Sequence, residues 1–134
     1  MSKQLNLFLF VTFFSFFLVS CNEYQKILNS EDNNLKYKAA EKYYNNGEYR
    51  RANRLLEQLV PIYRGKPQAE RLVYFFADSY FQTKNYYLAS YQFESFMKSF
   101  PKSQKLEEAS FFAAISLHDV SNIQFRSGGD KHGN

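Results

Sequence analysis

The residues of this chain that could support covalent or acid–base chemistry are few and scattered. There is one cysteine, Cys21, and there are two histidines, His118 and His132. A single cysteine can form neither an internal disulfide nor a cysteine-based metal site. The adjacent carboxylates Glu107 and Glu108 stand at a predicted helix start, where complementarity to the helix dipole accounts for them. Because no nucleophile–base pair, phosphate loop or metal-ligand cluster appears, the sequence predicts no enzyme, no metal site and no cofactor.

Cys21 acquires a chemical role from its position behind an apolar leader. Lys3 supplies a weak positive start, and residues 5–18 are almost entirely apolar. The tetrapeptide 18–21, Leu-Val-Ser-Cys, resembles a bacterial lipobox. In such a motif the small residue lets a peptidase reach the bond before the cysteine, and the thiol accepts a diacylglyceryl group. Residues 1–20 are therefore predicted to be a lipoprotein signal peptide, with Cys21 as the lipidation site.

Two other interpretations of the leader stay open, namely an uncleaved membrane-spanning helix and an ordinary signal peptide. The apolar run is about 16 residues, which is shorter than the 18 or more expected of a span. An ordinary signal peptide needs no cysteine at its cleavage site. Each methylene of an acyl chain contributes about 0.8 kcal/mol when buried, so two or more chains anchor a protein stably. Asn22 favours sorting to the outer membrane, and the lack of an acidic run after it favours the periplasmic face.

After the leader, apolar and small residues recur at helical spacing, without the alternation of a strand. Segments rich in Asn, Gly, Lys and Pro separate the predicted helices, which run over 34–45, 49–63, 68–83, 86–99 and 105–117. The short turns between them imply antiparallel neighbours. Residues 21–34 are predicted to be a polar tether with a short helix, 35–117 a repeat domain, and 118–134 a disordered or truncated tail.

The predicted hairpins share residues at a constant spacing of 37 positions, as from Ala40 to Ala77. The first unit has a small residue, a tyrosine, a turn glycine, a second tyrosine and an alanine, at Ala40, Tyr43, Gly47, Tyr49 and Ala52. The second and third units repeat this order in part, at Ala77, Tyr80, Tyr86, Ala89, the closing Pro101, and Ala114. Such self-similarity is typical of a repeat array. The small residues would let paired helices approach, and the tyrosines would fill the wedge beside the turn.

This order of residues resembles the tetratricopeptide motif. Lys84 replaces the turn glycine in the second unit, and Arg64 replaces the closing proline in the first. The usual period of the motif is about 34 residues, so about three residues are added between units here. The resemblance implies an all-α solenoid of tetratricopeptide-type helical hairpins, about two and a half repeats long. A plain amphipathic helix bundle is the alternative fold.

Several stretches together resemble the BamD family, the lipoproteins of the outer-membrane β-barrel assembly machinery, in its Bacteroidetes form. They are CNEYQKIL at 21–28, LKY at 35–37, GEY at 47–49, EQLVPIYRG at 57–65, FESF at 93–96 and FPKS at 100–103. The likeness runs to about Leu117 and implies the N-terminal half of such a protein, so a truncated form is expected. It also implies a lipid-anchored, protein-binding scaffold. Its partners would be the barrel-forming assembly protein, unfolded barrel precursors and the bilayer.

In arrays of this kind, the groove lined by the first helix of each hairpin binds peptides or partner helices. Aligning the repeats directs seven side chains towards it, Tyr37, Glu41, Tyr44, Arg71, Tyr74, Asp78 and Phe81, with Asn45, Gln82, Glu108 and Phe111 as further candidates. Aromatic rings give contact area at low entropy cost, which suits the aromatic ends of barrel precursors. Arg71 could pair with a terminal carboxylate. Burial of these aromatics in the solenoid core is the alternative.

The charge of the chain argues against nucleic acid as a partner. The net charge of +4 is small, and phosphate binding needs a concentrated basic face. The cluster Arg50, Arg51 and Arg54 is interpreted as a solvated helix face. Two alternatives to the barrel-assembly role stay open. One is another periplasmic repeat lipoprotein, serving cell-wall, division or glycan-uptake machinery, and the other is a non-functional fragment.

Overall fold

The computed structural model of the protein describes residues 1–128, with side chains at residue 1 and over 3–10 and 23–124. This part of the chain contains six α-helices and no β-strand: α1 Ser2–Leu28, α2 Asn33–Asn45, α3 Tyr49–Ile62, α4 Ala69–Gln82, α5 Tyr86–Ser99 and α6 Leu106–Gly128. Helices α2 and α3 form one hairpin, α4 and α5 form the next, and α6 packs on α5. The predicted all-α array of tetratricopeptide-type hairpins is thereby confirmed.

The helix ends follow from local chemistry that repeats between the two hairpins. The carboxylate of Asp32 caps α2 by accepting hydrogen bonds from the backbone N–H groups of Asn34 and Leu35, at 2.9 and 3.1 Å. Between α2 and α3 the chain turns through Gly47, whose φ of +76° is the left-handed conformation that glycine adopts without strain. Lys84 takes the same conformation between α4 and α5, with φ of +62°. The second turn therefore keeps its shape without its glycine.

Two buried clusters of apolar side chains form the core. The first lies between α2, α3 and α4 and includes Leu55, Leu56 and Leu59. The second lies between α4, α5 and α6 and includes Phe93 and Phe96. Partly buried Phe75 and Tyr80 pack against both clusters, so the two hairpins share one continuous core.

Small residues stand where the paired helices come together. The alanines Ala40, Ala52, Ala77 and Ala89 are fully buried. The predicted tyrosines Tyr43, Tyr49, Tyr80 and Tyr86 are partly buried, and Pro101 is exposed after α5. Near the turns the two hairpins make equivalent ring contacts, Tyr44 with Tyr49 at 5.5 Å and Phe81 with Tyr86 at 5.6 Å. Edge contacts of this kind add to the packing of an aromatic pair.

Ala114 departs from the pattern predicted for it. The 37-residue spacing aligns it with Ala40 and Ala77, but Ala114 is exposed, and Ala109 and Ala113 are the buried alanines of α6. Ala40 shares the first core cluster with side chains of α3, and Ala77 shares the second with side chains of α5. No second helix packs on α6 within residues 1–128, which is why the side of α6 that carries Ala114 is open.

The last helix is longer than the sequence predicted. The ordered domain was expected to end at Leu117, but α6 continues to Gly128. The reason is that no glycine or proline occurs between Pro101 and Gly128, and extending a formed helix costs little compared with starting one. The prediction of a disordered tail is therefore wrong for 118–128. Residues 129–134 lie outside the described part of the chain.

The segment that follows the predicted leader is also more ordered than a tether. Helix α1 runs without a break to Leu28, which is buried against the first hairpin, and α2 begins at Asn33. The side chain of Cys21, the predicted lipidation site, lies outside the described residues. Among the described helices, none combines the length and the apolar character needed to cross a membrane.

Candidate protein-binding face

The first helices of successive units, α2, α4 and α6, lie side by side, and the surface they form is here called the first-helix face. Polar side chains connect α2 to α4 across it. The hydroxyl of Tyr44 donates to Oδ2 of Asp78, and the amide of Gln82 donates to Oδ1 of the same carboxylate at 3.2 Å. The ring of Tyr44 stacks on Phe75 with centroids 3.8 Å apart. Burial, followed by the hydrogen bond to Asp78, raises the pKa of Tyr44 far above its ordinary value.

A second link between α2 and α4 is more exposed. Arg71 donates to Oε1 of Glu41 at 2.8 Å, and the same oxygen accepts from the hydroxyl of Tyr37 at 2.9 Å. The hydrogen bond to Glu41 raises the pKa of the Arg71 guanidinium. Arg71 was predicted to receive the terminal carboxylate of a ligand. In this structure its carboxylate partner is internal, because the stacking of α4 beside α2 brings Arg71 to Glu41.

The face continues from α4 to α6 through aromatic and charged groups. The ring of Tyr74 lies 5.1 Å beneath the ammonium group of Lys105, which also pairs with Glu108 at 2.6 Å. Burial first, and then the carboxylate of Glu108, raise the pKa of Tyr74 well above its ordinary value. Phe81 contacts Phe112 at 4.7 Å between ring centroids. These contacts extend the face over three consecutive units.

The structure divides the seven predicted groove residues into two groups. Five are reachable from solvent at least in part, Tyr37, Glu41, Tyr44, Arg71 and Phe81. The other two differ from the prediction, because Tyr74 is only 6% exposed and Asp78 only 5% exposed. Tyr74 packs in the second core cluster, and Asp78 lies beneath Tyr44 between the repeats. Of the further candidates, Asn45, Gln82, Glu108 and Phe111 are exposed.

A shallow cavity of about 350 Å³ opens on this face between the second and third units. Its lining combines apolar and charged residues: Pro67, Glu70, Arg71, Tyr74, Phe75 and Lys105. Sequence reasoning missed Phe75 and Lys105. The turn-based alignment gave Phe75 no role, since it follows Tyr74 directly, and Lys105 precedes the predicted repeat residues of α6. A search for aromatic residues adjacent to predicted groove positions would have found Phe75.

The mixture of exposed rings and internally paired charges suits a protein ligand better than a small charged one. The exposed ring of Phe111 offers apolar contact area, and Tyr37 and Phe81, which also pack against the core, add their partly exposed edges. In the described part of the chain, no group of three or more histidine, cysteine, aspartate or glutamate side chains is arranged to hold a metal ion.

Comparison with known proteins identifies the family. The model of a family described as an outer membrane lipoprotein, YfiO, matches residues 29–132. The match begins at the end of α1, includes both hairpins and α6, and passes Leu117, where the likeness seen in the sequence was expected to stop. No curated protein and no solved structure matches the chain significantly. Because the match covers most of the chain and all of its repeat array, the chain belongs to the YfiO, BamD-like family of outer membrane lipoproteins.

Proposed function

We propose that this chain is a lipid-anchored, protein-binding scaffold of the machinery that assembles and inserts outer-membrane β-barrel proteins. The observation that carries the proposal is the family match over 29–132, which coincides with the stacked hairpins. The lipobox-like tetrapeptide 18–21 supports an anchor on Cys21, and the acidic run that would favour export is missing after it, which supports the periplasmic face. The chain acts by binding and not by catalysis.

The proposed ligands follow from the first-helix face. Its partly exposed rings at Tyr37, Phe81 and Phe111 suit an aromatic peptide segment such as the end of an unfolded barrel precursor. The barrel-forming assembly protein would be the stable partner. Interfaces draw most of their energy from a few aromatic or arginine side chains, so a small number of substitutions on this face should separate binding from folding.

Pull-down of the tagged full chain from detergent-solubilised envelope tests the partners. We expect the barrel-forming assembly protein to be recovered with the wild type and to be reduced when Tyr37→Ala and Phe111→Ala are combined. The matched control is Tyr87→Ala with Tyr91→Ala, since these exposed rings lie on α5, away from the first-helix face. Recovery of murein-binding or division proteins alone would reject the proposal and favour another periplasmic repeat lipoprotein.

Metabolic labelling with a radioactive fatty acid tests the anchor separately. The full chain should incorporate label, and Cys21→Ser should abolish it because the serine hydroxyl does not replace the thiol as acceptor. Detergent partitioning of the processed protein provides a second readout. A wild-type chain without label would overturn the lipid-anchored part of the proposal, whatever the pull-down recovers.

A further inference from the structure

We propose that the hairpin turns of the first two repeats form a basic surface that contacts anionic phospholipid headgroups beside the anchor. The surface, here called the basic end, consists of Arg50, Arg51, Arg54 and Lys84. The proposal rests on the proposed lipidation of Cys21. It assigns a role to an arginine cluster that the sequence alone presents as an ordinary solvated helix face.

Helix α1 is fixed against the basic end. The hydroxyl of Tyr24 donates to the backbone oxygen of Arg51 at 3.1 Å, and the ring of Tyr24 contacts that of Tyr43 at 5.4 Å. The guanidinium of Arg51 lies over both rings, 5.5 and 5.6 Å from their centroids. Leu28, at the other end of this stretch, is buried. The first residues after the leader therefore form a docked helix.

The docking of α1 also determines where the proposed anchor lies. Helix α1 is continuous through residues 21–24, and three residues of α-helix rise by about 4.5 Å. Acyl chains attached at Cys21 would thus enter the bilayer about one helical turn from Tyr24. Since Tyr24 contacts α2 and α3 near the turn that joins them, that turn would point towards the membrane surface. The turn between α4 and α5 lies at the same end of the array.

The cations of the basic end lie close together around the two turns. Arg50, Arg51 and Lys84 line one open cavity of about 620 Å³ between the two turns, and Arg50 and Arg54 line another of about 340 Å³. Glu48, the carboxylate at the turn, is paired with Arg51 at 2.7 Å. Among the described side chains, Arg50, Arg54 and Lys84 are exposed and take part in no ion pair.

The positive charge at this end exceeds the negative charge that faces it. Three carboxylates face the four cations of the basic end. They are Glu48, Glu23 on α1, which lies near Tyr43, and Glu57, which lies near Tyr80 in the cavity that Arg54 also lines. An anionic leaflet attracts basic groups that lie within a Debye length, about 8 Å at physiological ionic strength. Arginine forks also match the geometry of phosphate oxygens. The basic end would therefore orient the anchored array relative to the membrane, with the hairpin turns towards the headgroups.

Site-specific quenching on vesicles tests this orientation with the processed, lipidated protein. Because the Cys21 thiol is blocked by its diacylglyceryl group, a single introduced cysteine can be labelled with a fluorophore, either Asn46→Cys at the basic end or Gln104→Cys at the opposite end. The vesicles contain phosphatidylcholine and a headgroup quencher, with or without phosphatidylglycerol. We expect the label at position 46 to be quenched severalfold more than the label at 104, and only when phosphatidylglycerol is present. Salt near 1 M, where the Debye length is about 3 Å, should reduce the difference.

Charge reversal provides the matched control. Combining Arg50→Glu, Arg54→Glu and Lys84→Glu should remove the preferential quenching at position 46. Combining Lys66→Glu, Lys98→Glu and Lys102→Glu changes the net charge equally but leaves the basic end intact, so quenching should remain. Equal quenching at both ends, or no dependence on phosphatidylglycerol, would overturn the proposal for a protein that stays on the vesicles. Failure to stay on the vesicles would instead count against the anchor, and with it against this proposal.

Discussion

Tyr44 and Asp78 join consecutive repeats through one hydrogen bond, in which the phenol hydroxyl donates to Oδ2 of the carboxylate. The carboxylate is 5% exposed, and its other oxygen accepts from the amide of Gln82. A buried carboxylate is costly unless hydrogen bonds compensate for its lost hydration. The two donors offset the cost of burying Asp78 between the hairpins. Of the two, Tyr44 belongs to the neighbouring repeat.

Removing that donor should destabilise the whole array. Tyr44→Phe keeps the ring stacked on Phe75 but leaves Asp78 with one side-chain donor, so we expect the free energy of unfolding to fall by about 1–3 kcal/mol. Urea denaturation followed by circular dichroism measures this. Tyr87→Phe removes the hydroxyl of a ring that is 71% exposed and should change the free energy by less than about 0.5 kcal/mol. Equal effects of the two substitutions would show that the hydrogen bond between Tyr44 and Asp78 contributes nothing to stability.

The alanines give a sharper comparison between equivalent positions. Ala77→Leu forces a larger side chain between α4 and α5, where Ala77 is fully buried, so we expect a loss of about 1–3 kcal/mol. Ala114→Leu makes the same chemical change at the position 37 residues later, which is exposed, and should cost less than about 0.5 kcal/mol. Thermal denaturation of both variants measures the difference. A large loss from Ala114→Leu would mean that a further element covers α6.

Adding a glycine at one turn and removing the glycine at the other should have opposite effects on the free energy of unfolding. Lys84→Gly should raise the free energy of unfolding by about 0.5–1 kcal/mol. The left-handed conformation destabilises a residue that has a side chain by about 1–2 kcal/mol. Glycine avoids this cost, but part of the gain is offset because glycine loses more conformational entropy on folding. Gly47→Ala should lower the free energy of unfolding. A Cβ at Gly47 would meet only ordinary contact, with Tyr49 Cε2 at 3.9 Å, so the loss reflects the backbone alone. Changes of the same sign in both variants would contradict this account.

Alkaline titration should reveal the buried phenols. Burial raises the pKa of Tyr44 and of Tyr74 above the ordinary value of 10.0, so the folded state holds these protons more tightly than the unfolded state does. The stability they contribute is fully present below pH 10.0 and is lost as the pH rises through the folded-state pKa values. Phenolate absorbance should therefore show a delayed fraction that appears on unfolding. Combining Tyr44→Phe with Tyr74→Phe should shrink that fraction, and an unchanged delayed fraction would assign it to other tyrosines.

The helix boundaries and the small packing residues of the two hairpins followed from the sequence alone, because both depend on local rules. Breakers end helices, and the periodic alanines reflect how closely paired helices approach. Ala114 fits the 37-residue spacing and is nevertheless exposed. Burial requires a neighbouring helix, and the spacing of residues in the sequence does not show whether that helix is present. Helix α6 extends over 118–128 although the apolar periodicity of these residues is weak, because no breaker occurs before Gly128.

The groove residues show a different limit of sequence reasoning. Spacing placed Tyr74 and Asp78 on the first-helix face, but side chains on the same helix face differ in depth when a neighbouring helix covers one of them. Asp78 looked like a surface carboxylate because acidic side chains are seldom buried unless paired. Its partners, Tyr44 from another repeat and Gln82 from the next helical turn, become visible only when the hairpins are stacked.

Under the proposed function, the pairing of Arg71 with Glu41 constrains which ligands the first-helix face would select. The exposed guanidinium of Arg71 already donates to Glu41 at 2.8 Å. A carboxylate offered by an incoming peptide would therefore meet a charge that is partly neutralised, and a solvent-exposed ion pair of this kind adds little affinity. A chain terminus is then a poor recognition element. Discrimination among peptide ligands would instead depend on how their aromatic side chains fit the aromatic residues of the first-helix face. Such a face would bind peptides of many different sequences and would not be specific for one.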